Sequence, residues 1–518
     1  MFFRRSSPSS NETFHLKASQ PFEEKFDLSP ADNIPPAINS RYIFIYDTRG
    51  ETRDPKVYRN ELVDRLKKSL QSFLRLPEDN ALAFPQLLGK VYIKPDNGRL
   101  FVHVKKSSSL PFVVATHDKI TIESLRPELG FPSQYLDPKV FATGVEAVPR
   151  PDSDGGWDTF QVQITFIAGG YVIMVNKHHY LLDATATGFL MKSWFERARL
   201  YSSGAVSADT QLDVEREGKA KKIHDNTSLM TLKEAVPKQD TSLEWTIKPG
   251  ASAHIFGLQL PPASVMFVAK ALAFVKPKID NAIFHFSPAA LRELHGALQA
   301  ESPLRISTHD AVCALVWRCI ARARLNAAKP KDKPAACKFS LAVNGRGKLE
   351  PPLADGYFGN AAFFSTAALD ADVFCKSDQK SLASVAGAIR ENLNVKTTDA
   401  FLRAQLELVV SQPKATDVVN AWNCYMGYDV LATSWERSFG SMDDVDLKCG
   451  RFQRMRLPGG GQFDGLICVL PAFGLRDKTV EDAKGYPGGL EVAVDLFHAH
   501  LDALKQDAEL KQYATCLE

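Results

Sequence analysis

The sequence predicts an α/β or α+β protein built as two domains. Three observations carry this. The chain has 518 residues, too many for one core, and divides most simply into two domains of roughly 200–270 residues each. Strand-like runs and amphipathic helical runs alternate in both halves. A charge-mixed stretch over 205–250, rich in Lys, Glu, Asp and Ser and poor in aromatics, lies between them and reads as a solvated connection. The expected division is a disordered tail over 1–20, an N-terminal domain over 21–204, a crossover loop over 205–250 and a C-terminal domain over 251–518.

Each element has its own warrant. Residues 40–46 (SRYIFIY) are apolar and aromatic, bounded by Pro35-Pro36 and Asp47, and predict a short strand. Leu62, Leu66, Leu70 and Phe73 recur at helical spacing and predict an amphipathic helix over 58–74. Residues 84–93 and 98–104 predict a strand pair with Asn97-Gly98 at the turn. Residues 159–167 alternate as a strand does. Gly169-Gly170 suits a two-residue turn, and 171–177 (YVIMVNK) returns as a strand apolar on both faces, hence central. A helix over 184–202 follows, with Phe189, Leu190, Trp194, Phe195 and Ala198 facing inward, and stops at Gly204. In the second half, 283–287 predicts a strand and 289–298 a helix. Ser307 or Thr308 can cap a buried helix over 309–324. Strands are expected over 338–344, 361–369, 463–471 and 490–496, before a final helix ending near Tyr513.

Composition removes several function classes. The apolar fraction of 45% and charged fraction of 24% are those of a globular protein. A net charge of +3 offers no electrostatic footprint for nucleic acid. No apolar run approaches the ~18 residues of a membrane span, and the N-terminus MFFRRSSPSSNETF lacks the apolar centre of a secretory signal. All eight cysteines lie between Cys313 and Cys516 without a CxxC pair. That pattern predicts free thiols in a reducing compartment, hence a cytoplasmic location, and no metal site.

The chemistry concentrates in His178-His179-Tyr180-Leu181-Leu182-Asp183, at the end of the central strand. Adjacent strand residues point to opposite faces, so one histidine at most lines a given cleft. A turn over 180–183 brings Asp183 back under the strand end. His179 is then a candidate general base, because imidazole titrates near working pH. The same spacing also suits a core histidine followed by a helix-capping aspartate. Arg346, after a predicted strand, is a candidate partner for a buried Asp183 or a solvent-facing loop arginine. Thr433 and Trp435 supply a hydroxyl and an indole donor that could stabilise an oxyanion, or pack in a core. Residues 446–450 (DLKCG) read as a loop. The run Pro458-Gly459-Gly460-Gly461 lacks nucleotide-binding spacing, and no GxSxG elbow is present.

Taken in order, these strings resemble the BAHD-type acyl-CoA-dependent acyltransferases, the HxxxD acyltransferases, including fungal trichothecene acetyltransferase-like members. FDLSPADN (26–33) is similar to the family's LSxxD segment, FPQLLGK (84–90) to PxxAGR and HHYLLD (178–183) to HxxxD. THDAVCALVWR (308–318), LADGYFGNA (353–361), ATSW (432–435), DLKCG (446–450), DGLICVLP (464–471) and GGLEVAVDL (488–496) follow in the family's order over about 470 residues. Three departures stand out. Ala184 replaces the usual Gly, Leu447-Lys448-Cys449 replaces the interior of DFGWG, and Lys90 replaces an Arg.

The resemblance implies two similar α/β domains of the chloramphenicol-acetyltransferase-like kind, each a mixed sheet with flanking helices, joined by a long crossover loop. It implies acyl transfer, with acetyl the expected group, from acyl-CoA (acetyl-CoA expected) to a hydroxyl or amine of a small molecule, expected to be a secondary metabolite. No permanent cofactor and no acyl-enzyme are required. His179 matches the catalytic histidine. Asp183 matches a structural aspartate paired with Arg346. Thr433 and Trp435 match residues of the oxyanion site. Asp446 and Gly450 match the ends of DFGWG; Asp446 is grouped with the catalytic residues and Gly450 with the structural ones. A monomer without nucleic-acid or membrane partners is expected. Two alternatives stay open: carrier-protein-dependent condensation, and an inert binding protein on the same scaffold.

Overall fold

The computed structural model describes residues 10–77, 82–126, 130–201, 223–230, 238–249, 254–255, 258–259, 278–440, 442, 446–459, 461–472 and 488–517. The chain separates into two compact units that are not consecutive in sequence. One comprises Met1–Met230, Pro351–Ala361 and Arg437–Gly459; the other Thr231–Glu350, Ala362–Glu436 and Gly460–Glu518.

The first unit is built on a six-stranded sheet. Its strands are β1 (Ser10–Leu16), β2 (Asn39–Asp47), β3 (Leu110–Thr121), β4 (Phe160–Ala168), β5 (Gly170–His178) and β6 (Arg451–Arg456), in the order β1-β3-β4-β5-β2-β6. The β3–β4 pair is parallel and the others antiparallel. Every residue of β5 is buried, as its two-faced apolar pattern predicts. On β2 the faces divide by alternation. Ile43 and Ile45 join an aliphatic cluster with Ile120, Val172 and Met174. Phe44 turns the other way, edge-on to Phe195, ring centres 5.7 Å apart.

Two helices cover that second face. Helix α1 (Pro55–Gln71) begins where Asp54 accepts from the N–H groups of Lys56 and Val57, with Pro55 as its first residue. Helix α2 (Ala184–Tyr201) donates the Trp194 indole N–H to the Leu66 carbonyl of α1 at 2.9 Å. Gly188 is required in α2, because a Cβ there would sit 2.0 Å from the Ser438 carbonyl oxygen. A separate four-stranded sheet carries Glu24–Asp27, Lys90–Ile93, Leu100–Val104 and Trp157–Asp158.

The second unit holds a seven-stranded mixed sheet. In spatial order its strands are Ala362–Asp370, Ala336–Asn344, Val430–Ser434, Leu466–Pro471, Leu490–Phe497, Ile279–Phe286 and Thr515–Leu517. Helix Thr308–Ala327 is its core, opened by the reciprocal Ser307–Asp310 capping box. Trp317 packs on Phe339 and Phe374 at centroid distances of 5.3 and 4.8 Å.

Four local expectations need correction. Residues 84–93 are not one strand: Pro85–Leu88 form a 3₁₀ turn, because Pro85 has no N–H for a ladder, and pairing starts at Lys90. Of the expected tail, residues 10–16 form edge strand β1, whose partner β3 the sequence pattern does not reveal. The final helix is two, His498–Gln506 and Ala508–Tyr513, divided at Asp507, which caps the second. Helices Gln379–Lys396 and Asp399–Ser411 were not anticipated. Much of the expected crossover loop, 205–222 and 231–237, lies outside the described residues, as do 1–9. Its far end, Trp245–Ile247, pairs antiparallel with Val418–Asn420. Among the described residues all eight cysteines are free, and no helix is long and apolar enough to cross a membrane.

Candidate active site

The histidine corner is fixed by main-chain geometry before any side chain acts. His178 closes β5 opposite Asn39, and its N–H donates to the Thr159 carbonyl at 2.9 Å. The His179 N–H donates to the Ile38 carbonyl at 2.7 Å, so the strand end is pinned on both sides. The chain then turns, with the Leu181 N–H reaching the His178 carbonyl at 3.0 Å. Of residues 178–183, only His179 keeps partial access to solvent. His178 is fully buried beside Trp157 and Tyr180, ring centres 5.7 and 5.0 Å away. The adjacent pair is thus resolved: His178 is a core residue and His179 is the reachable one.

Asp183 anchors the other end of the corner. One carboxylate oxygen accepts the Ala186 N–H at 2.9 Å, capping α2, and the other accepts the Ala361 N–H at 2.8 Å. The helix cap is therefore real, and the same carboxylate also ties the distant segment 351–361 to the corner.

That segment delivers a residue that the sequence motifs leave without a role. Asn360 is wholly buried. Its backbone N–H and its amide donate to one oxygen of Asp32 at 2.9 and 2.8 Å. The amide also lies 3.0 Å from the His179 carbonyl and 3.1 Å from that of Tyr180. The other Asp32 oxygen accepts the Ser29 N–H and hydroxyl, both at 2.7 Å. Burial raises the Asp32 pKa to about 6, against the lowering effect of the Asn360 and Ser29 donors. The LSPAD and YFGN strings thus meet at the histidine. Their order along the chain matches the family, but a string gives no contact.

Electrostatics leave His179 neutral. Its pKa is pushed down to about 3, first by burial and then by the Lys177 charge. Its own carbonyl, Asp183 and Asn360 pull it upward more weakly. A neutral imidazole can accept a proton, which is what a general base requires. His178 is held down to about 3 chiefly by burial as well.

Arg346, Thr433 and Trp435 belong to the second unit. Arg346 is buried, its N–H and guanidinium both on the Asn344 side-chain oxygen, at 3.1 and 3.2 Å. Thr433 is on a central strand opposite Cys468, and the Trp435 N–H extends the pairing to the Val469 carbonyl at 2.8 Å. Asp446, grouped with the catalytic residues by the resemblance, lies at the far end of the sheet from His179. Asn39 pairs with His178 at one end of β2, whereas Arg451, just past Gly450, pairs with Asp47 at the other. Those ends are about 26 Å apart at the usual rise per strand residue. Asp446 is exposed there and bonded to Lys448 at 2.7 and 2.9 Å. Gly450, with φ +71°, is structural: a Cβ would lie 2.8 Å from the Asp47 carbonyl.

Among the described residues, Cys319, Asp507 and Glu509 cluster closely enough for a metal. Arg318 and Arg322 already pair with those carboxylates, so the cluster reads as an ion-pair network.

The comparisons with known proteins bear on the family and the fold. The model of the family described as "Transferase family" matches residues 11–511. Eremophilane O-acetyltransferase of Penicillium rubens is 25% identical over 77% of this chain and 79% of its own. A hydroxycinnamoyltransferase of Narcissus pseudonarcissus is 25% identical over 95% and 96%. Among solved structures, F. graminearum TRI101 with ethyl coenzyme A superposes with a TM-score of 0.71 at 19% identity, covering 96% of this chain and 100% of that one. The two-domain architecture expected from the sequence is the one found.

Proposed function

The chain belongs to the transferase family of BAHD-type acyltransferases, and on that premise we propose that His179 is the general base of acyl transfer from acyl-CoA to a small-molecule hydroxyl. The protein is an acyltransferase with acyl-CoA as its co-substrate. The finer reading is an O-acetyltransferase of a secondary metabolite, working as a cytoplasmic monomer. The O-acetyltransferase relative named above supports that reading, and the hydroxycinnamoyltransferase relative makes a longer acyl group the alternative.

The observation that carries the reading is the placement of His179: the only reachable residue of an otherwise buried corner, held there through the backbone, with burial lowering its pKa. In the proposed step, Nε2 takes the acceptor's proton as its oxygen attacks the thioester carbonyl. The tetrahedral oxyanion then collapses with loss of the CoA thiolate, and the proton returns to that sulfur. Thr433 and Trp435 are proposed to stabilise the oxyanion, and Arg346 to balance the Asp183 charge. No covalent enzyme intermediate is needed, because holding both substrates together supplies the proximity.

The test combines binding and turnover. Thermal shift with free CoA and a panel of acyl-CoAs reads donor binding, since a ligand of the folded state raises Tm. Thiol release with an acceptor panel then reads transfer. His179→Ala is expected to keep the Tm rise and lose transfer. A variant that retained wild-type turnover would overturn the assignment.

A further inference from the structure

Lys177 has no place in the transfer as derived above, yet it is the most unusual side chain near it. It is 0% exposed, the residue of β5 just before the two histidines. Among the described residues only one other lysine is buried, Lys396, and that one has a carboxylate on it, Glu244 at 2.8 Å. Lys177 makes one hydrogen bond, from Nζ to the carbonyl oxygen of Leu182. The carboxylate facing it, Asp183, is occupied by the N–H groups of Ala186 and Ala361.

A buried ammonium with so little compensation is costly, and an apolar residue of the same volume would stabilise the fold. A charge kept at such a site beside a candidate base is a functional signal. Position agrees with this reading. The Nζ–Leu182 bond spans the corner from its first residue nearly to its last, closing the turn that places His179. The charge acts on the imidazole of His179 and on Asp183. We propose that Lys177 is a positioning residue for acyl transfer: its ammonium closes the 177–183 corner and keeps the imidazole of His179 in the unprotonated form. This rests on the reading of His179 as the base.

The burial that strains the lysine also supports the idea. Its own pKa is lowered to about 7, chiefly by burial, with Asp183 opposing. The Lys177 charge is in turn the second-largest cause of the lowered His179 pKa. The other titratable groups around the ring are His178 on β5, Asp183 at the corner and, one hydrogen bond removed through Asn360, Asp32.

The experiment measures kcat/KM against pH with acetyl-CoA and the best acceptor of the panel, for wild type, Lys177→Gln, Lys177→Met and His179→Ala. Gln keeps a donor for Leu182 without the charge; Met removes both. Loss of the charge is expected to move the acid limb to higher pH by about half a unit or more in both variants. Loss of the bond is expected to lower kcat about tenfold in Met alone, with KM for acetyl-CoA unchanged. An unmoved acid limb in a folded Gln variant overturns the proposal. Should neither variant fold, a ring titration of His179 by NMR in the wild-type protein decides: a pKa at or above the ordinary value of about 6.5 overturns it. Full turnover in His179→Ala would instead overturn the general-base reading, whatever Lys177 does.

Discussion

Two loops stand at opposite ends of the central strands of one sheet, and they differ in whether the loop's own side chains anchor it. The corner 178–183 is held at the carbonyls of His179, Tyr180 and Leu182 by Asn360 and Lys177, and also through its own Asp183 side chain, whose carboxylate takes two N–H groups. The loop 446–450 is held through its backbone. Arg65 donates to the Leu447 carbonyl at 3.0 Å, Arg53 to that of Lys448 at 2.9 Å and Tyr171 to that of Cys449 at 2.6 Å. A loop gripped by its carbonyls tolerates new side chains, which explains how Leu447-Lys448-Cys449 can stand where the family motif reads Phe-Gly-Trp. The corner adds a side-chain anchor, Asp183, which cannot change without losing two bonds, and its histidine and aspartate are intact. Identity matters at one end of the sheet, and conformation at the other.

The largest expected effect that tests this contrast is at His179. Substitution by Ala should cut turnover by at least about 10²–10⁴-fold, the usual worth of a general base, with Tm within about a degree or two of wild type. Asp183→Asn should lower both rate and stability. The new amide presents a donor to one of two N–H groups that need an acceptor, a loss of about 1–3 kcal/mol readable as a shifted urea midpoint. If the Asp183→Asn variant kept wild-type stability and lost only kcat, the anchoring role would be wrong. Asn360→Ala should come next: about tenfold to a hundredfold in kcat, because the carbonyls of His179 and Tyr180 lose their donor, with CoA binding by thermal shift preserved.

At the other end of the sheet the readout should be stability alone. Gly450→Ala combines φ +71° with a 2.8 Å approach to the Asp47 carbonyl and should cost about 1–3 kcal/mol, while the folded fraction keeps its specific activity. The smallest effect is at Lys448, which holds φ +54° where the family motif has glycine. Lys448→Gly should be neutral or stabilise by up to about 1 kcal/mol, the strain released less the entropy added. A larger loss would mean that its exposed pair with Asp446 matters more than such pairs usually do.

The pH profile sharpens the same contrast. A base works unprotonated, and burial and Lys177 lower the His179 pKa. The neutral fraction therefore persists as pH falls through the ordinary histidine value. The acid limb of kcat/KM should lie below about pH 6.5, and a limb at or above it would contradict the electrostatics of the corner.

Sequence by itself determined the local elements and the histidine. The buried pattern of 171–177, the capped helix 308–327 and the helical face around Trp194 are short-range signals of periodicity and capping, and the chain obeys them; the turn expected on Gly169-Gly170 falls one residue earlier, on Ala168-Gly169, because Gly170 already pairs with Ile167. The order of weak strings determined the family. Tertiary structure decided what those strings do to one another. It separated His178 from His179 by burial and placed Asp446 at the far end of the sheet from His179. It brought Asn360 onto the carbonyls of the corner and onto Asp32, 328 residues away. It also showed that Lys177, which reads in the sequence as one more strand residue, is a buried charge. Periodicity reports what a residue does over one or two turns of chain. Hydrogen bonds across hundreds of residues, and the loss of water that sets a pKa, exist only once the chain has closed on itself.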